Sequence, residues 1–315
     1  MTERIWPHNQ DLPEYPPATD MRVPRISIIM PSYNQAQFLE AALLSIALQC
    51  YPNLELIVLD GGSTDGSVDI IRRFDKWISH WESQKDGGQA AALNKGFAMA
   101  SGAILGWVNS DDLLLPGALD AVSNALTTDR IPKAILGKAL LIDILGIPFY
   151  ASYGLPPTFG SMLFESSAGF EQPALFWNRA AAEATGSMNT AYPLSFDSEF
   201  FLRLAGKAKV KRLNVYLAGF RHHDASITKT LESRRLEEAY QFRCALYGLD
   251  RYPAYVRVAK HLYYRVRYFF YAGMFKLRLM SGLETPPMRL AFWRRLPFAG
   301  TRGVFLTSDA SRPQA

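Results

Sequence analysis

Acidic residues follow two short apolar runs in the first third of the chain. Asp60 follows the run LELIVL, and the pair Asp111 and Asp112 ends the segment ILGWVNSDD. Ligands of open α/β sheets bind beyond the carboxyl ends of the strands. Two adjacent carboxylates repel each other, and a Mg²⁺ or Mn²⁺ ion shared with substrate phosphates offsets that repulsion. The three acids therefore predict a metal and phosphate site, and helix capping near Pro116 is the alternative role of the pair.

These acids are placed by apolar runs that alternate with amphipathic segments from residue 25 onward, as in a parallel sheet wrapped by helices. Strands are predicted at residues 25–30, 54–59, 77–81, 104–108 and 210–216. Helices are predicted after Asn34 as N-cap, after Asp65, at residues 89–100, from Pro116 and at residues 198–205. Pro31 is expected to end the first strand. Strand signals are weak between residues 133 and 195.

The composition excludes several classes of protein. The 315 residues are 49% hydrophobic and 13% aromatic, which is too rich in core-forming side chains for a disordered chain. Cys50 and Cys244 lie far apart, so we expect neither a disulfide framework nor a zinc site, and a reducing, cytoplasmic setting is favoured. The N-terminal stretch lacks the apolar region of a secretory signal, and we expect no transmembrane helix.

The order and spacing of three segments resemble a known family. The segments are PSYNQAQFLEAALLSIALQCYPNLELIVLDGGSTDGS, DGGQAAALNKGF and GWVNSDD, and the similarity runs from Arg25 to Leu126 and more loosely to Thr228. The chain resembles glycosyltransferase family 2. The resemblance implies an α/β fold of GT-A type, with a Rossmann-like, mostly parallel sheet flanked by helices. It also implies transfer of a sugar from a nucleotide donor, with a UDP-sugar favoured, to a glycan or lipid-linked acceptor, usually with inversion and a divalent metal.

The resemblance also implies roles for individual residues. Asp112 and His223 match the metal-binding positions. Two departures concern donor contacts: Gly61 stands where the family commonly has a second acid, and Ala91 stands where related sequences often have Asp. Ten residues match donor-binding positions: Pro31, Ser32, Tyr33, Asn34, Asp60, Gly62, Asn94, Lys95, Asp111 and Arg221.

The general base matches one of two acids in the segment FDSEFFLRL. Asp197 lies where the family places its base, and Glu199 is the competing candidate. The alternative is that either acid only stabilises the N-terminus of its helix through the helix dipole. Gln172 and Trp177 match the acceptor side.

Three rival functions make different demands on the sequence. A nucleotidyltransferase normally carries a basic residue in a Gly-rich loop after the first strand, where this chain has PSYNQ. An inactive nucleotide-sugar-binding relative would be expected to lose the acids, which are all present. A nucleic-acid partner is not expected, because no basic stripe accompanies a recognised reading motif. Neither GxGxxG nor GxxxxGK[ST] occurs, which excludes a dinucleotide fingerprint and a P-loop.

The net charge of +5 is the sum of two unlike parts. Residues 1–233 hold 19 Lys and Arg against 24 Asp and Glu, a net charge of −5, whereas residues 234–315 hold 15 against 5, a net charge of +10. We expect an irregular leader at 1–24, a GT-A catalytic domain at 25–233, a basic C-terminal region of amphipathic helices at 234–303 and a frayed tail at 304–315. The basic helices either pack over the catalytic domain or lie on the inner face of the cell membrane.

Overall fold

The fully buried apolar runs form the centre of the sheet. The computed structural model describes residues 6–7, 10–14, 16–126, 128–152, 154–164, 170–223, 231–280 and 304–305. Strand β1 (Ile26–Ser32) pairs in parallel with β2 (Leu54–Asp60) on one side and with β4 (Ile104–Trp107) on the other, and β3 (His80–Ser83) lies beyond β2. All seven residues of β1 are buried, as expected of a strand covered on both faces.

The remaining strands make the sheet mixed. Strand β8 (Leu175–Asn178) continues it antiparallel to β4, followed by β6 (Lys133–Ile142) and β7 (Pro148–Ser152), which are each antiparallel to their neighbours. The long β9 (Lys209–Arg221) runs parallel to β6 and antiparallel to the short β5 (Leu113–Leu114). Parallel pairing therefore joins β3, β2, β1 and β4, and separately β6 and β9.

Seven helices accompany the sheet through residue 207 of the described chain. They are α1 (Ala36–Ala47), α2 (Ser67–Arg73), α3 (Gln89–Met99), α4 (Ala118–Ala125), α5 (Phe159–Phe164), α6 (Arg179–Thr185) and α7 (Phe196–Lys207). Two more follow, α8 (Glu232–Tyr247) and α9 (Ala254–Met280). None of the described helices has the length and apolar character that crossing a bilayer requires. The α/β class expected from the sequence is confirmed.

Several boundaries differ from the predictions. No strand was predicted between residues 133 and 195, yet β6, β7 and β8 lie there. Residues 304–305, expected to be frayed, form β10 (Val304–Phe305) against β7. The predicted strand at 77–81 begins only at His80. The basic segment at residues 288–296 lies outside the described residues.

Pro31 does not end the first strand. It pairs with Leu59 inside β1, which continues to Ser32. The carbonyl of Ile29 accepts a hydrogen bond from Val108 N, so the backbone groups of Ile29 face β4. Backbone groups alternate along a strand, and the nitrogen of Pro31 therefore faces the same side. Strand β4 ends at Trp107, before it reaches Pro31. The missing N–H of proline therefore costs no hydrogen bond of the sheet.

The N-terminus of α1 is capped by a distant carboxylate. Asn34 has a φ of 50°, and its side-chain oxygen accepts a hydrogen bond from Thr64 N, so the prediction that it caps α1 is wrong. Asp65 supplies the cap: its Oδ2 accepts from Ala36 N at 2.9 Å, and its Oδ1 accepts from the N and Oγ of Ser67 at 3.1 and 2.6 Å. One side chain thus satisfies the first turns of both α1 and α2.

We expect Asp65→Ala to lower the free energy of unfolding by about 2 kcal/mol, because it removes two helix caps worth about 1 kcal/mol each. Urea denaturation followed by circular dichroism measures the change. Asp65→Asn, which keeps an acceptor oxygen, should lose less. Asp69→Ala is the matched control, since the Asp69 side chain, among the described residues, pairs with the exposed Arg72 alone. Equal losses for Asp65→Ala and Asp69→Ala would contradict the double cap.

Candidate active site

Asp60 organises the loop at the carboxyl end of β2. Its Oδ2 accepts hydrogen bonds from Gly62 N, Ser63 N and Ser83 Oγ at 3.1, 2.8 and 2.6 Å, and its Oδ1 accepts from Ser63 Oγ at 2.5 Å. Gly62 has a φ of 82°, which favours glycine, and this conformation turns the chain back onto the carboxylate. Four protein donors therefore use the acceptor capacity of Asp60, and we infer that this side chain shapes the loop.

Asp111 and Asp112 lie in the turn between β4 and β5, where residues from the end of β9 meet them. Arg221 N donates to Asp112 Oδ1 at 2.9 Å, and Arg221 Nε donates to the Asp111 carbonyl at 2.8 Å. His223 Nε2 lies 3.0 Å from Asp111 Oδ2. The structure thus brings together four predicted site residues that are separated by about one third of the chain.

The charges in this turn are unevenly balanced. Asp112 is 1% exposed, and burial, followed by the negative charge of Asp111, raises the pKa of its carboxyl well above the ordinary value. The hydrogen bond and positive charge of Arg221 oppose that rise, whereas Glu171 adds to it. Asp111, beside the buried Asp112, keeps 21% of its side chain exposed, and the two neighbouring carboxylates share one guanidinium, which is an environment that favours a bound cation.

The ring of Phe38 in α1 packs against Arg221 and His223, the two basic residues beside this turn. The Arg221 guanidinium lies 4.8 Å from the centre of the Phe38 ring, and the His223 ring centre lies 4.9 Å from it. Arg221 Nη1 also donates to the carbonyls of Asp143 and Ile144 at 2.8 and 3.1 Å. These contacts hold the guanidinium in one position, since a planar donor group with several fixed acceptors has little freedom to reorient.

Asn109 connects the turn of Asp111 and Asp112, the acid turn, to Gln172, which was predicted to lie on the acceptor side. Its Oδ1 accepts from Gln89 Nε2 at 2.8 Å, and its Nδ2 lies 3.4 Å from Asp112 Oδ2 and 3.3 Å from Gln172 Oε1. Gln172 Nε2 in turn donates to the Trp107 carbonyl at 2.8 Å. Neither Asn109 nor Gln89 is among the site residues predicted from the sequence. The signal for Asn109 was present in the segment VNSDD, where it stands two residues before Asp111, and Gln89 follows the Gly-rich turn at the start of a predicted helix.

The two base candidates occupy different environments at the start of α7. Glu199 is buried, with Oε1 and Oε2 each 2.7 Å from an Arg203 nitrogen, and Tyr247 Oη donates to Oε1 at 3.2 Å. Asp197 is half-buried, and its Oδ1 accepts a hydrogen bond from the adjacent Ser198 N at 2.6 Å. Burial raises the pKa of the Asp197 carboxyl, although Ser198 and the positive charge of Arg235 oppose the rise.

The aromatic core connects the first turn of α7, which carries Asp197, to the end of β4. Phe196, the residue before it, packs against Trp107 with 6.4 Å between ring centres, and Trp107 stands at the end of β4, two residues before Asn109. Ring contacts from Phe200 and Phe201 to Trp107 fix the same helix. The aromatic core thus determines where the first turn of α7 points relative to the end of β4.

Some predicted site residues have structural partners instead. Trp177 is 1% exposed within the aromatic core, 6.0 Å from Trp107 between ring centres, and this burial disfavours the direct acceptor contact expected from the sequence. Asn94 bonds the backbone N and O of Met188 at 2.7 and 3.0 Å, and Lys95 forms an ion pair with Glu82. Both polar groups of Asn94 are therefore used to hold the loop that contains Met188.

Two residues remain exposed or unpartnered at the carboxyl end of β1. The Ser32 hydroxyl is buried and has no hydrogen-bond partner among the described residues. Tyr33, which follows β1, is 62% exposed. Pro31, which precedes them, is buried within β1. This edge lies next to the Asp60 loop, because Ser32 pairs with Asp60 in the sheet.

Comparison with known proteins supports the resemblance to a known family. Residues 27–131, about one third of the chain, match the family model described as glycosyl transferase family 2. Over this segment the chain is similar to family 2 glycosyltransferases. An uncharacterised glycosyltransferase of Haemophilus influenzae is 37% identical over 114 residues, which cover 35% of this chain and 46% of that protein. An uncharacterised glycosyltransferase of Mycobacterium tuberculosis is 27% identical over 260 residues, which cover 78% of this chain and 92% of that protein.

A solved glycosyltransferase structure shares the fold. The crystal structure of Staphylococcus aureus TarS 1–349 in complex with UDP-GlcNAc superposes with a TM-score of 0.51 and 16% sequence identity. The superposition covers 65% of this chain and 61% of the TarS chain. At that identity the likeness shows the GT-A fold of the glycosyltransferase and no more.

We expect Glu199→Gln to lower the free energy of unfolding by about 2 kcal/mol, because it removes the charged partner of Arg203 and Tyr247 in a buried position. Urea denaturation measures this loss. The turnover per folded molecule should stay within a few-fold of the wild type. A variant of unchanged stability whose turnover has collapsed would instead identify Glu199 as the base.

Proposed function

We propose that the protein transfers a sugar from a nucleoside-diphosphate donor to an acceptor hydroxyl, with inversion at the sugar carbon. The observation that carries the proposal is the buried Asp111–Asp112 turn, held against the end of β9 by Arg221 and His223 in a family 2 domain. The two carboxylates of this turn can bind a divalent cation at the strand ends, and the cation in turn can bind the diphosphate of the donor.

The edge formed by β1 and β2 is suited to the donor. The unpartnered Ser32 hydroxyl and the exposed Tyr33 ring offer a hydrogen-bonding group and a stacking surface beside the loop that Asp60 fixes. A UDP-sugar is the donor class that we favour, and the TarS structure of the same fold contains UDP-GlcNAc. The contacts of Asn94 and Lys95 argue that these two residues support the site indirectly.

Asp197 is the general base in this proposal. A sugar hydroxyl is a poor nucleophile near neutral pH, so a carboxylate must accept its proton as the new C–O bond forms. The carbon–oxygen bond to the nucleoside diphosphate breaks in the same step, and attack from the opposite face inverts the sugar carbon. Glu199 is engaged by Arg203 and Tyr247, which leaves Asp197 as the carboxylate of this helix end without a charged donor bonded to it.

The acid turn fits a divalent metal with few protein ligands. Within the described ranges, no three Asp, Glu, His or Cys side chains are grouped as a complete metal site. Mg²⁺ and Mn²⁺ commonly use one or two carboxylates together with substrate phosphates, and Asp112 Oδ2 has only the 3.4 Å contact to Asn109. Asp112 would hold the metal with help from His223. Such an ion would offset the negative charge that develops on the leaving diphosphate.

The acceptor is proposed to be a glycan or a lipid-linked saccharide at the inner face of the cell membrane. Of the rival functions, a nucleotidyltransferase is disfavoured because the family match covers the segment in which such an enzyme would need its basic loop. An inactive relative is disfavoured because the acids remain and are positioned at the strand ends. A panel of nucleotide sugars assayed with and without Mn²⁺, Mg²⁺ and a chelator tests the proposal directly; absence of both hydrolysis and transfer throughout would refute it.

We expect Asp197→Asn to lower kcat by about 10²- to 10⁴-fold, the usual contribution of a general base. Burial raises the pKa of Asp197 above the ordinary 3.8. The carboxylate that acts as base is therefore protonated as the pH falls through this raised pKa, and the wild-type kcat should begin to decrease at a pH above 3.8. The ionised carboxylate is disfavoured in the fold, so the Asn variant should unfold at an equal or higher temperature at neutral pH. Full activity of Asp197→Asn, or retention of the anomeric configuration, would overturn the assignment.

We expect Asp112→Asn to abolish metal-dependent turnover while the protein remains folded, because the amide oxygen can still accept the Arg221 N–H bond and carries no charge. Thermal shift with UDP and Mn²⁺ should stabilise the wild type and leave the variant unchanged. Asp120→Asn, on the exposed side of α4, is the control. Turnover that persists in the presence of a chelator would contradict the metal role.

A further inference from the structure

The long helix α9 has an unusual charge composition. It spans Ala254–Met280, and its sequence contains six Lys or Arg residues and neither Asp nor Glu. At 1.5 Å per residue its 27 residues extend about 40 Å. A solvated surface helix normally mixes both signs of charge to form ion pairs along its length. Because α9 has cations but no acidic residues, it cannot form such ion pairs within itself.

One side of α9 packs against the protein. His261 Nδ1 lies 3.2 Å from the Phe164 carbonyl in α5, and Arg257 Nη1 donates to Tyr240 Oη in α8 at 2.9 Å. The Tyr264 hydroxyl lies against Gly160, where any side chain would collide with it. Positions 257, 261 and 264 are spaced by four and three residues, so they share one face of the helix.

The opposite side of α9 is apolar and open to solvent. It presents the exposed stripe Tyr255, Val258, Leu262, Tyr263 and Val266, whose members are 59 to 75% exposed. Successive residues of an α-helix are rotated by about 100°, which places this stripe roughly opposite the packed face. A protein normally buries a continuous apolar helix face, and an open one marks an interaction surface.

Cations border the exposed stripe on both sides. By helical rotation Arg265 lies next to one border, and Lys260 and Arg267 lie beyond the other. Long basic side chains at the edge of an apolar face can extend their charged ends to the level of lipid headgroups while the face enters the acyl region. A second copy of the chain would complement this surface poorly, because antiparallel α9 helices would place cations opposite cations.

We propose that the exposed stripe of α9 docks the protein onto an anionic lipid bilayer, parallel to its plane. The apolar side chains enter the interface, and the flanking cations bind the lipid phosphates. Phe159 of α5 touches Gly206 at the end of α7, so the docking helix is connected through α5 to the helix that carries Asp197. The surface is independent of the proposed transfer reaction, because none of its residues belongs to the candidate active site.

Co-sedimentation of the full chain with vesicles tests the docking surface without any activity readout. We expect binding to phosphatidylcholine vesicles that contain phosphatidylglycerol, weakened at least about tenfold by high salt or by omission of the anionic lipid. Leu262→Glu/Val266→Glu should reduce binding by a similar factor, because it places two charges in the apolar face. Met21→Glu/Ile131→Glu makes the same change at residues that are 78 and 59% exposed elsewhere, and it should bind as the wild type does.

Each other outcome counts against the proposal. Absence of wild-type binding, equal binding to vesicles of phosphatidylcholine alone, or equal loss in both double variants would overturn it. A wild type that is dimeric by light scattering, with a monomeric Leu262→Glu/Val266→Glu variant and no vesicle binding, would assign the stripe to a second copy. Circular dichroism and the thermal unfolding temperature establish that both double variants are folded, so a loss of binding is not a loss of structure.

Discussion

The candidate active site depends on the Arg221 side chain beside the buried acid turn. Two carboxylates at the end of β4 would repel each other and resist burial if no positive charge accompanied them. Arg221 reaches them because β9 runs along β6 to its final residue, where the backbone N–H and the guanidinium bind Asp112 and the carbonyl of Asp111. The mixed half of the sheet thus completes a site whose acids belong to the parallel half.

Hydrogen-bond partners give similar acidic side chains different roles. Asp60 and Glu199 each accept several strong hydrogen bonds from protein donors, and both therefore hold structure together. Asp65 is engaged in the same way by two helix N-termini. Asp112 and Asp197 keep acceptor capacity and have raised pKa values because burial is incompletely compensated. Carboxylates that keep free hydrogen-bond acceptor positions and have raised pKa values are common where a group acts on a ligand.

The charge division along the chain corresponds to a division of structure. The part with net charge −5 folds around the sheet and contains the acid turn, whereas the part with net charge +10 begins in α8 and includes the cation-only helix α9. Positive charge kept away from the acid turn does not compete with a metal ion there. It is instead available to a negatively charged surface, which is the arrangement that peripheral enzymes with amphipathic helices use.

The sequence by itself determined the parallel strands, the positions of Asp60 and the acid pair, and the resemblance to glycosyltransferase family 2, because buried strands and strand-end acids are local patterns along the chain. It did not reveal β6, β7 and β8, since Gly137 and its neighbours pack against distant strands and carry weak local signals. Nor could it show that Arg203 and Tyr247 bind Glu199, that Trp177 is buried in the aromatic core, or that Asp65 rather than Asn34 caps α1. Those outcomes rest on burial and on hydrogen bonds between residues far apart in the chain, which only the tertiary structure decided.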